Sequence, residues 1–322
     1  MPSRRPHLPG QLHVVVTCSN RKRTRTPQRL RLSDLREQRP AQRFAAWTRR
    51  LTTDASEQRP ALDMYAGEHW QVARRLPSVI ATRSATLWIC SAGYGLIPAH
   101  ALIRPYAATF SAGEADSVAA SRADVQDWWQ RLGAWPGPDP HQPRSFTELA
   151  HRDPTATILA VLSEAYQRAC ANDLLTAAGQ LHANRQLSVL GPPNAAPELA
   201  DLLVPVTATV RLAVGGSLQA LNVRVAEHLL RTADTTNRDA LRSHADTLAQ
   251  SASRLGLESF DRSPGERLDD NEVRTYIESR LADDPHSATS LLRELRASGR
   301  SCEQRRFATL YAAVVDREGG KP

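Results

Sequence analysis

Leu12-His-Val-Val-Val-Thr17 runs straight into Cys18-Ser-Asn-Arg-Lys-Arg23, and this join sets the fold class. The first stretch is β-branched and does not alternate with polar residues, which predicts a strand buried on both faces, as in a parallel sheet. A polar turn directly after such a strand is where open parallel sheets place ligand-binding groups. Thr86-Leu-Trp-Ile-Cys-Ser91 followed by Ala92-Gly-Tyr-Gly95 makes a second join of the same kind. Thr155–Leu162, Gln186–Leu190 and Leu203–Leu212 predict further strands. Between them, helices are expected near Ala41–Leu51, over Gly67–Leu76, over 117–132, from beyond Leu162 to about Leu175, and over Ser217–Leu230 behind Gly215-Gly216. The helix over 117–132 presents Val118, Val125, Trp128, Trp129 and Leu132, and the Pro- and Gly-rich Ala134–Pro143 reads as a loop. Strands alternating with helices over residues 10–232 predict an α/β domain with a largely parallel sheet and flanking helices.

Beyond Arg231 the strand signal stops. Asp234–Ser253 reads as a linker helix, and three helices follow near Asp270–Leu281, Ser287–Ala297 and Ser301–Val315. The expected division is therefore 1–232 and 233–322, the second part all helical. Ser298-Gly-Arg300 is a tight glycine turn between short amphipathic helices, as in a helix-turn-helix. That reading puts Glu303, Gln304, Arg305 and Arg306 at the start of a recognition helix, with Arg305 and Arg306 as nucleic-acid contacts. The alternative is a helical cap or dimerisation unit.

The chain has 322 residues, 41% of them hydrophobic and 23% charged, an ordinary globular balance. No stretch reaches the roughly 18 apolar residues of a membrane span, and the N-terminus has no apolar signal-peptide core. A cytoplasmic protein without membrane contact is expected. Net charge is +7, and it is unevenly spread. The first 50 residues hold 13 Lys/Arg against Asp34 and Glu37, whereas the rest is slightly acidic. Such asymmetry suits a polyanion, most simply DNA, with Arg21, Arg23, Arg25, Arg29 and Arg31 as candidate contacts. A basic arm that only aids solubility is the alternative. Lys22 and Lys321 are the only lysines among 41 basic residues. Lysine, unlike arginine, can lose its proton and act as base or nucleophile.

Cys18, Cys90, Cys170 and Cys302 form no CxxC pair, and the histidines show no HxxxH or HxH spacing. No metal and no cofactor is expected. Walker-type loops and Gly-x-Ser-x-Gly are also absent, which argues against P-loop ATPases and serine hydrolases of the ordinary kind. The two strand-end turns instead point to one pocket holding Cys18, Ser19 and Asn20 on one side and Ser91, Gly93, Tyr94 and Gly95 on the other. There, Gly93 and Gly95 are expected to leave N–H groups free for a ligand.

Four segments occur in a telling order: Val14-Val-Val-Thr-Cys-Ser-Asn-Arg-Lys22, Ala61-Leu-Asp-Met-Tyr-Ala-Gly67, Cys90-Ser-Ala-Gly-Tyr-Gly-Leu-Ile97 and Ile103-Arg-Pro-Tyr-Ala-Ala-Thr-Phe110. Together they resemble the superfamily of YaaA-like peroxide-stress DNA-binding proteins. That superfamily is similar to the archaeosine synthase core domain and includes the enzyme converting a cyano-deazaguanine base in DNA to its amide. The likeness covers residues 12–110 and extends to Gly215-Gly-Ser-Leu-Gln-Ala-Leu-Asn222, leaving 235–322 outside it. It implies a pocket for a purine-like base, lined by Gly67, Pro105, Tyr106, Gly215, Gly216 and Asn222 besides the turn residues. It also implies a DNA-modification system with partner proteins, as in phage defence.

For such chemistry, Cys18 would attack the nitrile carbon as a thiolate, or Lys22 would polarise the nitrile or orient a water. Tyr65, Glu68 or Tyr94 would carry protons, and Tyr94 and Tyr106 would alternatively stack on the base. The base would have to leave the duplex. Two rival functions stand beside this one: a non-catalytic DNA-binding protein, and a nucleoside or nucleotide glycosidase.

Overall fold

The computed structural model describes residues 11–79, 85–233, 237–259, 266–281 and 287–318. Contacts divide the chain into two compact units, Met1–Ser253 and Arg254–Pro322. The first is an α/β domain around a six-stranded sheet. Its strands are β1 (Leu12–Thr17), β2 (Ala85–Ser91), β3 (Gly95–Pro98), β4 (Thr157–Val161), β5 (Leu187–Gly191) and β6 (Leu203–Pro205). Their spatial order is β3-β2-β1-β4-β5-β6. All neighbours pair in parallel except β2 and β3, which form an antiparallel hairpin through residues 92–94.

All six residues of β1 are buried, as a central strand requires. The chain goes from β1 to one side, building β2 and β3, and then returns to the other side for β4. Strand order therefore reverses between β1 and β4, where sheets of this type open a crevice at the strands' carboxyl ends.

The α-helices of six or more residues in this unit are α1 (Pro40–Thr53), α2 (Glu68–Ala73), α3 (Arg122–Ala134), α4 (Phe146–Arg152), α5 (Glu164–Gln180), α6 (Leu221–Thr232) and α7 (Arg238–Ser259), the last belonging to it as far as Ser253. Two sequence expectations are corrected here. The helix expected over 117–132 begins at Arg122: Ser121 Oγ accepts from the Asp124 N–H and caps it, while the Val118 N–H is bound to Thr109 O. The strand expected over Leu203–Leu212 stops at Pro205; one more bond follows, from the Val206 N–H to Gly191 O, and the chain then coils into helical turns at Ala208–Val210 and Arg211–Val214. Helix α4 was not anticipated. The Asp173 carboxylate of α5 builds its start, accepting from the N–H groups of Phe146 and Thr147 and from Trp129 Nε1 of α3. Between the elements, the Cys90 and Cys170 sulfurs lie 3.6 Å apart as buried free thiols.

The division between units falls at 253/254 rather than 232/233, because Leu241, Ala245 and Leu248 of α7 join the core of the sheet domain. The second unit contains α8 (Asp270–Leu281), α9 (Ala288–Ala297) and α10 (Gln304–Glu318). They enclose a small core with Val273, Ile277, Leu291, Leu295 and Phe307. Arg300–Ser301 pairs in parallel with Glu266–Arg267 between α9 and α10, so the last helix starts at Gln304 rather than Ser301.

Candidate active site

The Cys18 N–H donates to Cys90 O at 3.0 Å, extending the β1–β2 ladder by one bond and fixing Cys18 at the sheet's carboxyl edge. The chain beyond folds onto residues 64–66. Arg23 N–H donates to Met64 O, Ala66 N–H to Arg21 O, and Ser19 Oγ to Ala66 O, with Lys22 opposite Tyr65 in an antiparallel bridge. This clamp explains why the segments carrying Cys18, Lys22 and Tyr65 meet despite their separation in sequence.

Three phenols, a thiol, an amine and a serine hydroxyl converge there. Cys18 Sγ lies 3.0 Å from the Tyr166 hydroxyl. The Tyr106 hydroxyl is 3.0 Å from that of Tyr65 and 2.6 Å from Ser91 Oγ. Lys22 Nζ sits 4.4 Å from the centre of the Tyr106 ring and 5.8 Å from that of Tyr65, within cation–π range. Tyr65 and Tyr106 are fully buried and Tyr166 nearly so. The half-buried Lys22 and the edge of Cys18, 9% exposed, are the members of the cluster that reach solvent.

Burial raises all three phenols well above their usual range, and the neighbouring Cys18 charge pushes the same way. They remain protonated at neutral pH and are available as donors. Burial lowers the Lys22 ammonium, partly opposed by the pull of Cys18. A nucleophilic thiol, an amine made more willing to give up its proton and a set of phenol donors can together perform addition to an electrophilic carbon.

Several predicted site residues hold the structure instead. The glycine bend does not offer free N–H groups: those of Gly93 and Tyr94 donate to Ser91 Oγ at 3.2 and 3.0 Å, and Gly93 O accepts from Trp47 Nε1. A Cβ on Gly93 would collide with the Tyr106 ring, so the glycine is there to admit that ring. Tyr94 is buried, with no ring face open for stacking on a ligand and its hydroxyl engaged away from the cluster. Its hydroxyl accepts from the Arg104 N–H, and its ring packs edge-on to Tyr106. Gly95 and Pro105 are buried.

Glu68 is an ionised anchor, not a proton carrier. It accepts from the Ser217 N–H and from Arg224 Nε at 2.8 Å, and these bonds lower its carboxyl. Gly216, at φ +79°, lies where a Cβ would strike both Arg224 and Glu68. Gly67 packs on the Arg21 stem, Gly215 and Asn20 are exposed, and Asn222 Nδ2 donates to Leu162 O just beyond β4.

Tyr166 was missed by sequence reasoning. Its position in the first turn of the helix that follows a strand at the order reversal was the available signal. Of the candidate nucleic-acid contacts, Arg21, Arg23 and Arg25 are exposed. Arg29 is paired with Asp54, Arg31 with Asp116, and Arg306 with Asp270 and Leu268 O, so these three serve the fold. The side chain of Arg305 lies outside the described residues.

Among the described residues no group of three or more His, Cys, Asp or Glu side chains is placed to hold a metal ion, and no helix is long and apolar enough to cross a membrane. No family model, curated protein or solved structure matches this chain.

Proposed function

We propose that this protein modifies a 7-deazaguanine-type base in DNA by nucleophilic addition, with hydration of a nitrile to an amide as the reaction best suited to its residues. The observation that carries the reading is the contact of Cys18 Sγ with the Tyr166 hydroxyl, inside a cluster completed by Lys22, Tyr65, Tyr106 and Ser91. Lys22 takes the thiol proton and Cys18 Sγ bonds to the nitrile carbon, while a phenol protonates the nitrile nitrogen, giving a thioimidate. Water adds to that carbon. The C–S bond then breaks, the departing thiolate takes its proton back from Lys22, the phenolate takes the hydroxyl proton released as the carbonyl forms, and the amide remains, so the net change is one water consumed. The exposed Arg21, Arg23 and Arg25 beside Cys18 supply the positive rim a DNA substrate requires.

The test is mass spectrometry of nucleosides from DNA carrying cyano-deazaguanine after incubation with the protein. Cys18→Ala is expected to lower amide formation at least ~10³-fold and Lys22→Ala about 10²–10⁴-fold, with DNA affinity nearly intact. An unaltered base under the wild-type protein, with DNA still bound, would replace the proposal by its rival, a non-catalytic DNA-binding protein. The mutual satisfaction of the Tyr65, Tyr106 and Ser91 hydroxyls is what favours that rival.

A further inference from the structure

Between β6 and α6 the chain makes a compact protrusion that the proposed chemistry does not use. It comprises the helical turn Arg211–Val214, Gly215-Gly216 and the 3₁₀ turn Leu218–Ala220. Leu218 is 62% exposed, more than any other large hydrophobic among the described residues, and Leu212 is 47% exposed. Single exposed leucines are commonplace. Two on one short protrusion, at the edge of a candidate site, are not explained by the core.

The base of the protrusion is fastened to that site. The Ser217 N–H donates to Glu68, Arg224 joins Glu68 to Val214 O, and the His69 ring bonds Thr17 O and the Gln219 backbone. Thr17 precedes Cys18, and Glu68 lies three residues beyond Tyr65, so the base of the protrusion is tied to two of the segments that carry the cluster. On the other flank of Gly67 and Glu68 lies Arg21, with Arg23 and Arg25 following, and Arg211 is exposed on the protrusion itself. Neither Cys18–Ser33 nor Pro205–Ala226 contains an acidic residue. An apolar tip with Arg211 exposed on it, and with the carboxylate at its base, Glu68, paired to Arg224, matches a stacked polyanion.

Resting on the base-modification reading above, we infer that Leu218, with Leu212 beside it, is a wedge that enters duplex DNA and fills the gap left when the target nucleotide swings out toward Cys18 and Lys22. Apolar side chains inserted between base steps unstack them, and a base held inside a duplex is out of reach of such a site. The anchoring by Glu68 and Arg224 gives the wedge the stiffness it needs.

The experiment compares the wild-type protein, Leu212→Ala/Leu218→Ala, and Leu175→Ala as an exposed-leucine control elsewhere in the domain. Each is given cyano-deazaguanine in a duplex with 2-aminopurine as its neighbour, and in a single strand. The wild type is expected to raise 2-aminopurine fluorescence on binding the duplex. The double variant should lose that rise and turn over the duplex about tenfold or more slowly, with single-strand turnover unchanged and the control like wild type. Equal duplex handling by wild type and double variant overturns the wedge, as does an equal loss on both substrates, which would make the leucines structural. Dissociation of a self-associated wild type by the double substitution, with DNA handling unchanged, assigns the leucines to a protein interface and also overturns it. A wild type that acts on neither substrate overturns the base-modification reading itself, and the wedge with it.

Discussion

Lys22 has its ammonium over the face of Tyr106 while burial opposes its charge. A group whose folded pKa is depressed binds fewer protons folded than unfolded, so stability rises with pH between the folded value and the ordinary 10.5. Lys22→Met removes the penalty and keeps the stem. It is expected to raise the melting temperature at pH 7 by about 2–4 °C and to flatten its increase toward alkaline pH, while abolishing turnover. Calorimetry across pH checks both.

The thiol, the amine and Tyr65 were legible in the sequence because each sits in a short motif beside a strand end. Tyr166 was not, since one aromatic on an amphipathic helix looks like core until the neighbouring strand is in place. Glu68 was misread for the opposite reason: a carboxylate near a candidate site invites an acid–base role, and its partners Arg224 and Ser217 lie some 150 residues away.

Among the elements, the strands of the parallel sheet could be read because their burial on both faces produces continuous apolar runs, as in β1 and β2. The hairpin strand β3 could not, being four residues attached to a turn whose glycines suggested a ligand loop. Its pairing depends on Arg144, which is 4% exposed and donates to the carbonyls of Leu96 and Tyr94 from a distant loop. The end of α1 is governed by Asp54. Burial pushes its carboxyl up, but hydrogen bonds from Arg29 and Ser56 outweigh this and bring it down to about 2. Its stabilising contribution is complete above the ordinary 3.8 and is lost as pH falls toward 2. Asp54→Asn is expected to cost about 1–3 kcal/mol at pH 7 and close to nothing at pH ~2, measured from urea midpoints.

Over the whole molecule, the basic excess of the first 50 residues divides into two kinds. Arg29, Arg31 and Arg50 are spent on Asp54, Asp116 and Asp34, whereas Arg21, Arg23 and Arg25 are exposed, Arg23 while also giving its Nε to Tyr65 O. Composition alone could not separate them, because Asp54 and Asp116, the partners of Arg29 and Arg31, lie outside that stretch. Under the proposed action on DNA, Arg21→Ala/Arg23→Ala/Arg25→Ala is expected to weaken DNA binding and to reduce the slope of log affinity against log salt by about two to three. Titrations by fluorescence anisotropy over a range of salt concentrations provide the measurement. The near-absence of lysine has a practical side. A chain that writes almost every cation as arginine leaves Lys22 and Lys321 as its only side-chain amines. Amine-directed acylation followed by peptide mapping would therefore report one interior group with scarcely any background. Protection of that single position by a ligand would serve as a gauge of occupancy, whatever the ligand proves to be.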